Sequence, residues 1–271
     1  MIPNVYDILG VPVSLHDSIV GLAMIVAALV LWRESTRQGI VEERWWWAVL
    51  GALTGAAIGA RLGTWFQHLD PAQNLSLVDQ WTSGNRSILS ALVGAWIGVV
   101  IAKRLTGWQV TTGDAFAPAV ALGMAVGRIG CFLTEVPGRP TGGSWGITLG
   151  HDASAWLPGA PIGVSLHPSF AYEIAFQLAA FAYLWRARLR PHQPGALLRR
   201  YVVAYALFRF AVEFVRGNEE AWFGCTRPQW AILGVAILVL AARLVIAIRR
   251  RRRVKPSGPA QAAVASGHVD G

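Results

Sequence analysis

Seven stretches long and apolar enough to cross a bilayer divide this sequence, at about 17–33, 45–66, 88–105, 113–133, 168–186, 200–216 and 228–249. A hydrocarbon core roughly 30 Å thick takes about 17–25 such residues in helical form. Within it every backbone N–H and C=O must be satisfied inside the span, so a chain that repeats the pattern folds as a helical membrane bundle. Composition agrees. Hydrophobic residues make up 54%, charged residues 14%, and the mean hydropathy is +0.43, against about 25% charged residues in an ordinary soluble domain. A soluble globule of 271 residues has too little interior for that much apolar surface. The expected fold class is an all-α membrane protein of seven transmembrane helices, with a small outer-surface loop region between the fourth and fifth. The transmembrane domain is expected over 1–254 with a folded cap at about 134–167. Residues 255–271, rich in Ala, Ser, Gly and Pro, read as a disordered cytoplasmic tail.

Basic residues set the orientation. With the N-terminus outside, the inner connections hold Arg33, Arg37 and Arg44, then Lys103 and Arg104, then Arg186, Arg188, Arg190, Arg199 and Arg200, and finally Arg249 to Arg253 with Lys255. The outer connections hold only Arg86, Arg139, Arg216 and Arg227. Lys and Arg collect on the cytoplasmic side, which places the N-terminus outside and the C-terminus inside. The net charge of +9 and pI near 10.5 therefore report topology and contact with anionic lipid heads. They do not report a nucleic-acid partner. The first charge is Asp7, so no basic leader precedes the first apolar stretch, which is expected to stay as an anchor.

Gly51, Gly55, Gly59 and Gly63 recur every fourth residue along the second span, a spacing that strips one helix face and admits a neighbouring backbone. Trp45, Trp46 and Trp47 at its inner end read as an interfacial belt. Cys131 and Cys225 stand in no CxxC and at no Cys/His ligand spacing, so free thiols and no metal are expected.

Charges inside the spans carry the functional signal, because each costs at least about 2.5–3.5 kcal/mol on insertion scales. Arg61, Arg128, Arg209, Glu173 and Glu213 all fall there. From the orientation they lie about three to seven residues below the outer end, or roughly 5–10 Å at about 1.5 Å per residue. Arg243, near the inner end of the last span, reaches the cytoplasm by snorkelling. Mutual neutralisation is one reading: Arg209 and Glu213 stand at i, i+4, and Glu173 is available to Arg61 or Arg128. Three arginines against two acids still leave a cation over, with Arg216 just above. A guanidinium fork matches a phosphate, and a phospholipid headgroup in the outer leaflet is the anion at that depth.

The fourth span ends in Gly127-Arg128-Ile129-Gly130-Cys131-Phe132-Leu133, followed by Glu135 and by Gly138-Arg139-Pro140-Thr141. With Leu166-His167-Pro168-Ser169, Tyr172-Glu173 and the run Leu207 to Arg216, this resembles the bacterial prolipoprotein diacylglyceryl transferases. Gly59-Ala60-Arg61-Leu62-Gly63 and Asp114 with Ala117-Pro118 fit as well. The resemblance implies a multi-pass enzyme of the bacterial cytoplasmic membrane. It would move the diacylglyceryl group of phosphatidylglycerol to the lipobox cysteine thiol in the signal peptide of a secreted prolipoprotein, with membrane lipids around it and no cofactor. It makes Arg128 the phospholipid ligand and Arg209 a second essential arginine. The sequence departs from the family pattern at four places: Leu89 stands where the family has histidine, Val20 where it has tyrosine, Cys131 where it has asparagine, and Thr134-Glu135 is a shortened step.

Arg128, Arg209 and His167 are accordingly the candidate catalytic residues. His167 is either a substitute base at the outer boundary or a cap or packing residue of the fifth span. Arg61, Glu135, Gly138 and Tyr172 join Arg128 as candidate substrate contacts, together with Glu173, Glu213 and Arg216. Glu135 and Glu213 are expected to orient arginines, and Tyr172 either bonds a lipid oxygen or sits at the interface. Two other readings stay open: a related transferase with another acceptor, and a non-catalytic lipid binder or transporter.

Overall fold

The computed structural model describes residues 2, 4–8, 11–65, 76–82, 87–218 and 220–253. Arg86 and the expected tail at 255–271 lie outside the described residues. Each of the seven apolar stretches becomes a helix: α1 Leu15–Arg37, α2 Glu43–Trp65, α4 Ile88–Thr106, α5 Gly113–Thr134, α6 Ser169–Ala187, α7 Ala196–Val212 and α8 Arg227–Arg253. A short helix, α3 Leu77–Thr82, follows α2. By length and composition α1 and α5 meet the requirement for a membrane crossing. Leu22, Ile25 and Leu29 on α1 and Val93, Ile97 and Ile101 on α4 are exposed in helical rows. A water-facing row would be polar; these suit hydrocarbon.

The chain forms two compact units, Met1–Ala204 and Tyr205–Gly271. In the first, β1 Val5–Ile8 and β2 Val11–Ser14 make an antiparallel hairpin that runs straight into α1. Ser14 caps that helix, its side chain accepting from the Asp17 amide at 3.1 Å, which satisfies one of the orphan donors of the first turn. The Ile2 amide donates to the Leu133 carbonyl at 3.0 Å, so the N-terminal segment is pinned to the end of α5. α1 packs on α5, α5 on α6, and α2 on α4.

The α2–α4 pair realises the glycine spacing. A methyl at Gly51, Gly55 or Gly59 would overlap the backbone of Gly98, Gly94 or Ser90. The partner face on α4 is thus glycine as well. Buried acids tie helix ends together. Glu34 accepts from Arg37 and forms an ion pair with Arg188, whose Nε lies 3.1 Å from its carboxylate. Burial pulls the Arg188 guanidinium below its ordinary range, and the Glu34 carboxylate works against that pull. Asp114 caps the start of α7, its carboxylate accepting from the amides of Gly195 and Leu197 at 2.6 and 2.9 Å.

The tryptophan belt needs a correction. Trp46 and Trp47 are exposed, but Trp45 is 3% exposed. It packs with Leu31, Ala48 and Trp108 and donates to Ser35 Oγ at 3.0 Å. A buried indole N–H needs such a partner, and Ser35 on α1 supplies it.

The segment between α5 and α6 is folded. β3 Ile147–Thr148 pairs with β4 Ser165–Leu166, a 3-10 turn covers His151–Ala155, and Leu149, Ala153 and Leu166 form a small core with Trp156 and Leu157 against it. In the second unit, β5 Glu220–Trp222 and β6 Cys225–Thr226 make a hairpin whose turn residues Phe223 and Gly224 both have positive φ, the mirror-image turn that matches strand twist.

Candidate active site

Two of the arginines that fall within apolar stretches are held by carboxylates. Arg128 on α5 places Nε 2.9 Å from Glu173 Oε1 on α6, with the residues 5% and 0% exposed. Of the two arginines open to Glu173 in the sequence, packing of α5 on α6 selects Arg128. In the second unit Arg209 donates to Glu213, and both are buried. Glu213 also accepts from Asn218 Nδ2 at 2.5 Å and from Thr226 Oγ1 at 2.9 Å. Losing one member of such a pair strands a buried charge and costs about 3–5 kcal/mol. Neither pairing consumes the arginine: a guanidinium has five N–H donors, and a carboxylate occupies at most two.

Arg61 has a different setting. It is half-buried on α2 and donates to the Gln80 carbonyl at 3.0 Å, while Gln80 Nε2 donates to the Arg61 carbonyl at 2.9 Å. This reciprocal clamp holds α3 to α2. The stretch expected as a span at 200–216 is helical over Ala196–Val212. Glu213 and Arg216 therefore fall beyond the helix end, because the turn Glu213–Val215 leaves the helix where Glu213 gathers side-chain donors from the segment that follows.

The cap residues meet at the start of α6. The His167 amide donates to the Arg139 carbonyl at 2.9 Å, next to buried Gly138, and Ser169 Oγ donates to the Pro137 carbonyl. The His167 ring stands edge-on to Trp145 at 4.9 Å between centroids, with Nδ1 3.4 Å from the Tyr172 hydroxyl. Pro168, not His167, occupies the cap position of α6, with no side-chain cap bond. These contacts pack His167 against the cap loop and set its Nδ1 beside the Tyr172 hydroxyl.

His16 was invisible to sequence reasoning. It opens α1, with its amide donating to Asn4 Oδ1 at 2.9 Å. Its Nε2 lies 3.4 Å from Cys131 Sγ and 3.5 Å from Glu135 Oε1, and its Nδ1 lies 3.6 Å from Asp17 Oδ1. Arg128 Nη1 reaches the same sulfur at 3.6 Å. Glu135, expected to orient an arginine, faces His16 instead, because Cys131 and Glu135 share one side of the α5 terminus toward α1. Together His16, Cys131 and Glu135 offer three ligand atoms within 4.8 Å of one another. The expectation of no metal-ligand set looked only for ligands close in sequence. His16 and Cys131 are 115 residues apart, and no local spacing encodes their meeting.

The model of the prolipoprotein diacylglyceryl transferase family matches residues 3–248. The chain is 32% identical to the phosphatidylglycerol–prolipoprotein diacylglyceryl transferase of Leifsonia xyli subsp. xyli, over 95% of this chain and 84% of that protein. It is 31% identical to the protein of the same name from Chromohalobacter salexigens, over 84% of this chain and 85% of the other. For that of Nitrosospira multiformis the values are 29%, 82% and 75%. A match that runs through the Arg128 segment, the folded cap and the Arg209 segment covers both compact units. The chain belongs to the prolipoprotein diacylglyceryl transferase family, membrane-bound transferases.

Proposed function

We propose that this protein transfers the diacylglyceryl group of phosphatidylglycerol to the lipobox cysteine thiol of a prolipoprotein. Family membership and the names of its relatives support the donor and the acceptor class. The observation that carries the reading to particular residues is the buried Arg128–Glu173 pair. A guanidinium fixed by a carboxylate in an apolar surround keeps donors aimed in one direction, and it stabilises charge without reorganising when that charge develops. In the reaction the thiolate sulfur bonds to the glycerol carbon, the carbon–oxygen bond to phosphate breaks, and glycerol phosphate leaves with the electron pair. Arg128 offsets the charge gathering on that phosphate. Arg209, fixed by Glu213, is assigned an essential role by its match to the family motif. Tyr172 and Gly138 are assigned to the donor lipid from their place at the α6 start and the cap loop.

The seven helices that coincide with apolar stretches are taken as seven crossings. The imbalance of Lys and Arg puts the N-terminus outside and the C-terminus inside a bacterial inner membrane, with the chemistry in the outer leaflet. A second reading keeps the lipid donor and changes the acceptor. Leu89 and Cys131, where the family resemblance calls for histidine and asparagine, favour it.

The test mixes purified protein, vesicles of phosphatidylglycerol labelled in the diacylglyceryl part, and a lipobox peptide. Label joined to the peptide cysteine, and lost in Arg128→Ala, is the expected result. Consumption of lipid without labelled peptide selects the second reading. Intact lipid throughout overturns both.

A further inference from the structure

We propose that His16, Cys131 and Glu135 form a binding site for a thiophilic divalent cation of the zinc type, with one coordination position left open. The ligands come from two elements that small residues bring together. Gly123, Gly127 and Gly130 on α5 face Ala27, Ala23 and His16 on α1, and Gly130 lies against the His16 ring and carbonyl. That approach delivers the imidazole to Cys131 and Glu135, which stand one helical turn apart on α5.

Two of the three edges match a single ion, and all three ligand atoms lie within 4.8 Å of one another. With metal–sulfur, metal–nitrogen and metal–oxygen bonds of about 2.3, 2.0 and 2.1 Å, a tetrahedron has an S–N edge of about 3.5 Å and an N–O edge of about 3.3 Å. The observed separations are 3.4 Å from Cys131 Sγ to His16 Nε2 and 3.5 Å from His16 Nε2 to Glu135 Oε1. The donor set of thiolate, imidazole and carboxylate suits zinc more than magnesium or calcium, which take oxygen.

The surround fits as well. The other ring nitrogen, Nδ1, lies 3.6 Å from Asp17 Oδ1, near enough for a small movement to give the carboxylate–histidine bond that orients a metal-bound imidazole. Thiolate and Glu135 together balance the charge of a divalent ion. The neighbouring guanidinium of Arg128 opposes a cation, but its charge is engaged by Glu173 at 2.9 Å. Cys131 is buried, whereas His16 and Glu135 are partly exposed, so the open position faces the accessible side. Three protein ligands and an open position are the arrangement of catalytic zinc.

A substrate thiol taking that position would bind as the thiolate and release its proton to solvent, which would supply a reactive sulfur without a base on α4, where position 89 is leucine. This use of the site rests on the transferase reading; the site itself does not.

The test strips the purified, tag-free protein with chelator and titrates it with cobalt(II) alone, then with zinc(II). One equivalent of cobalt should give a thiolate-to-metal charge-transfer band that zinc removes. Cys131→Ser and His16→Gln should each weaken binding by tenfold or more, with Cys225→Ser unchanged. Circular dichroism checks that each variant is folded. No band in the wild type, or a band that survives Cys131→Ser, overturns the site. The labelled-lipid assay on stripped and zinc-loaded protein judges its use. Transfer restored by zinc supports the open position as a thiol ligand, and transfer indifferent to zinc overturns that use while leaving the site and the transferase reading standing. No transfer in either form overturns the transferase reading and leaves the cobalt band to judge the site.

Discussion

The α2–α4 and α1–α5 pairs are both built on glycine, and they use it for different ends. Along α2, Gly51, Gly55 and Gly59 meet Gly98, Gly94 and Ser90 so closely that backbone touches backbone. The atoms nearest that stripped face belong to glycine, alanine and serine. Along α5, glycine recurs at 123, 127 and 130, with Arg128 and Cys131 interleaved, and the facing residues of α1 are two alanines and a histidine. There the close approach brings side chains together. A stripe of small residues is thus a way to choose separation. What the separation accomplishes depends on what stands beside the stripe.

The largest break in that comparison is Arg128→Ala. It should lower diacylglyceryl transfer by about a hundredfold or more and destabilise the protein by about 3–5 kcal/mol through the stranded Glu173. Adding Glu173→Gln should return much of the stability and none of the transfer, read by thermal unfolding and by the labelled-lipid assay. Next comes Gly55→Ala in the α2–α4 pair, which forces the new methyl into the Gly94 carbonyl and should cost about 1–3 kcal/mol as overpacking. Thermal unfolding of the detergent-solubilised protein measures it, and cobalt affinity should not move. Asp114→Ala removes the acceptor from the Gly195 and Leu197 amides and should cost about 0.5–2 kcal/mol, read in the same way. The smallest effect has the opposite sign. At Gly127 a methyl would meet only the Ala23 side chain at 3.6 Å, so Gly127→Ala should stabilise by about 0.5–1 kcal/mol by lowering backbone entropy in the unfolded chain. The same substitution then destabilises at Gly55 and stabilises at Gly127, the glycine of α5 with most room toward α1. Equal signs would break the distinction drawn between them.

Much of the architecture was legible because lipid leaves a chain little choice. Each apolar stretch appears as a helix within about four residues of its expected bounds, and at 200–216 the whole helix is shifted, starting at Ala196 and stopping at Val212. That boundary was hidden because Glu213 is drawn out of the helix by Asn218 and Thr226, contacts that no local pattern announces. Trp45 was misplaced for the same reason: its partner Ser35 belongs to the preceding helix, and three adjacent tryptophans look alike in sequence while pointing to different sides. Among site residues, the Arg209–Glu213 pair was readable from its spacing of four. Arg128–Glu173 was one option of two until α5 and α6 were packed.

The sequence by itself determined that seven apolar helices form, that one face of α2 is stripped for packing, and which arginines stand at a cost inside them. These are properties of single segments, set by transfer free energy and helical periodicity. Only the tertiary structure decided which acid holds which arginine, why Glu135 turns toward α1, and that His16 comes within 3.4 Å of Cys131. Those outcomes depend on which helices are neighbours and how near they lie, and segments far apart in the chain carry no periodic signal of each other.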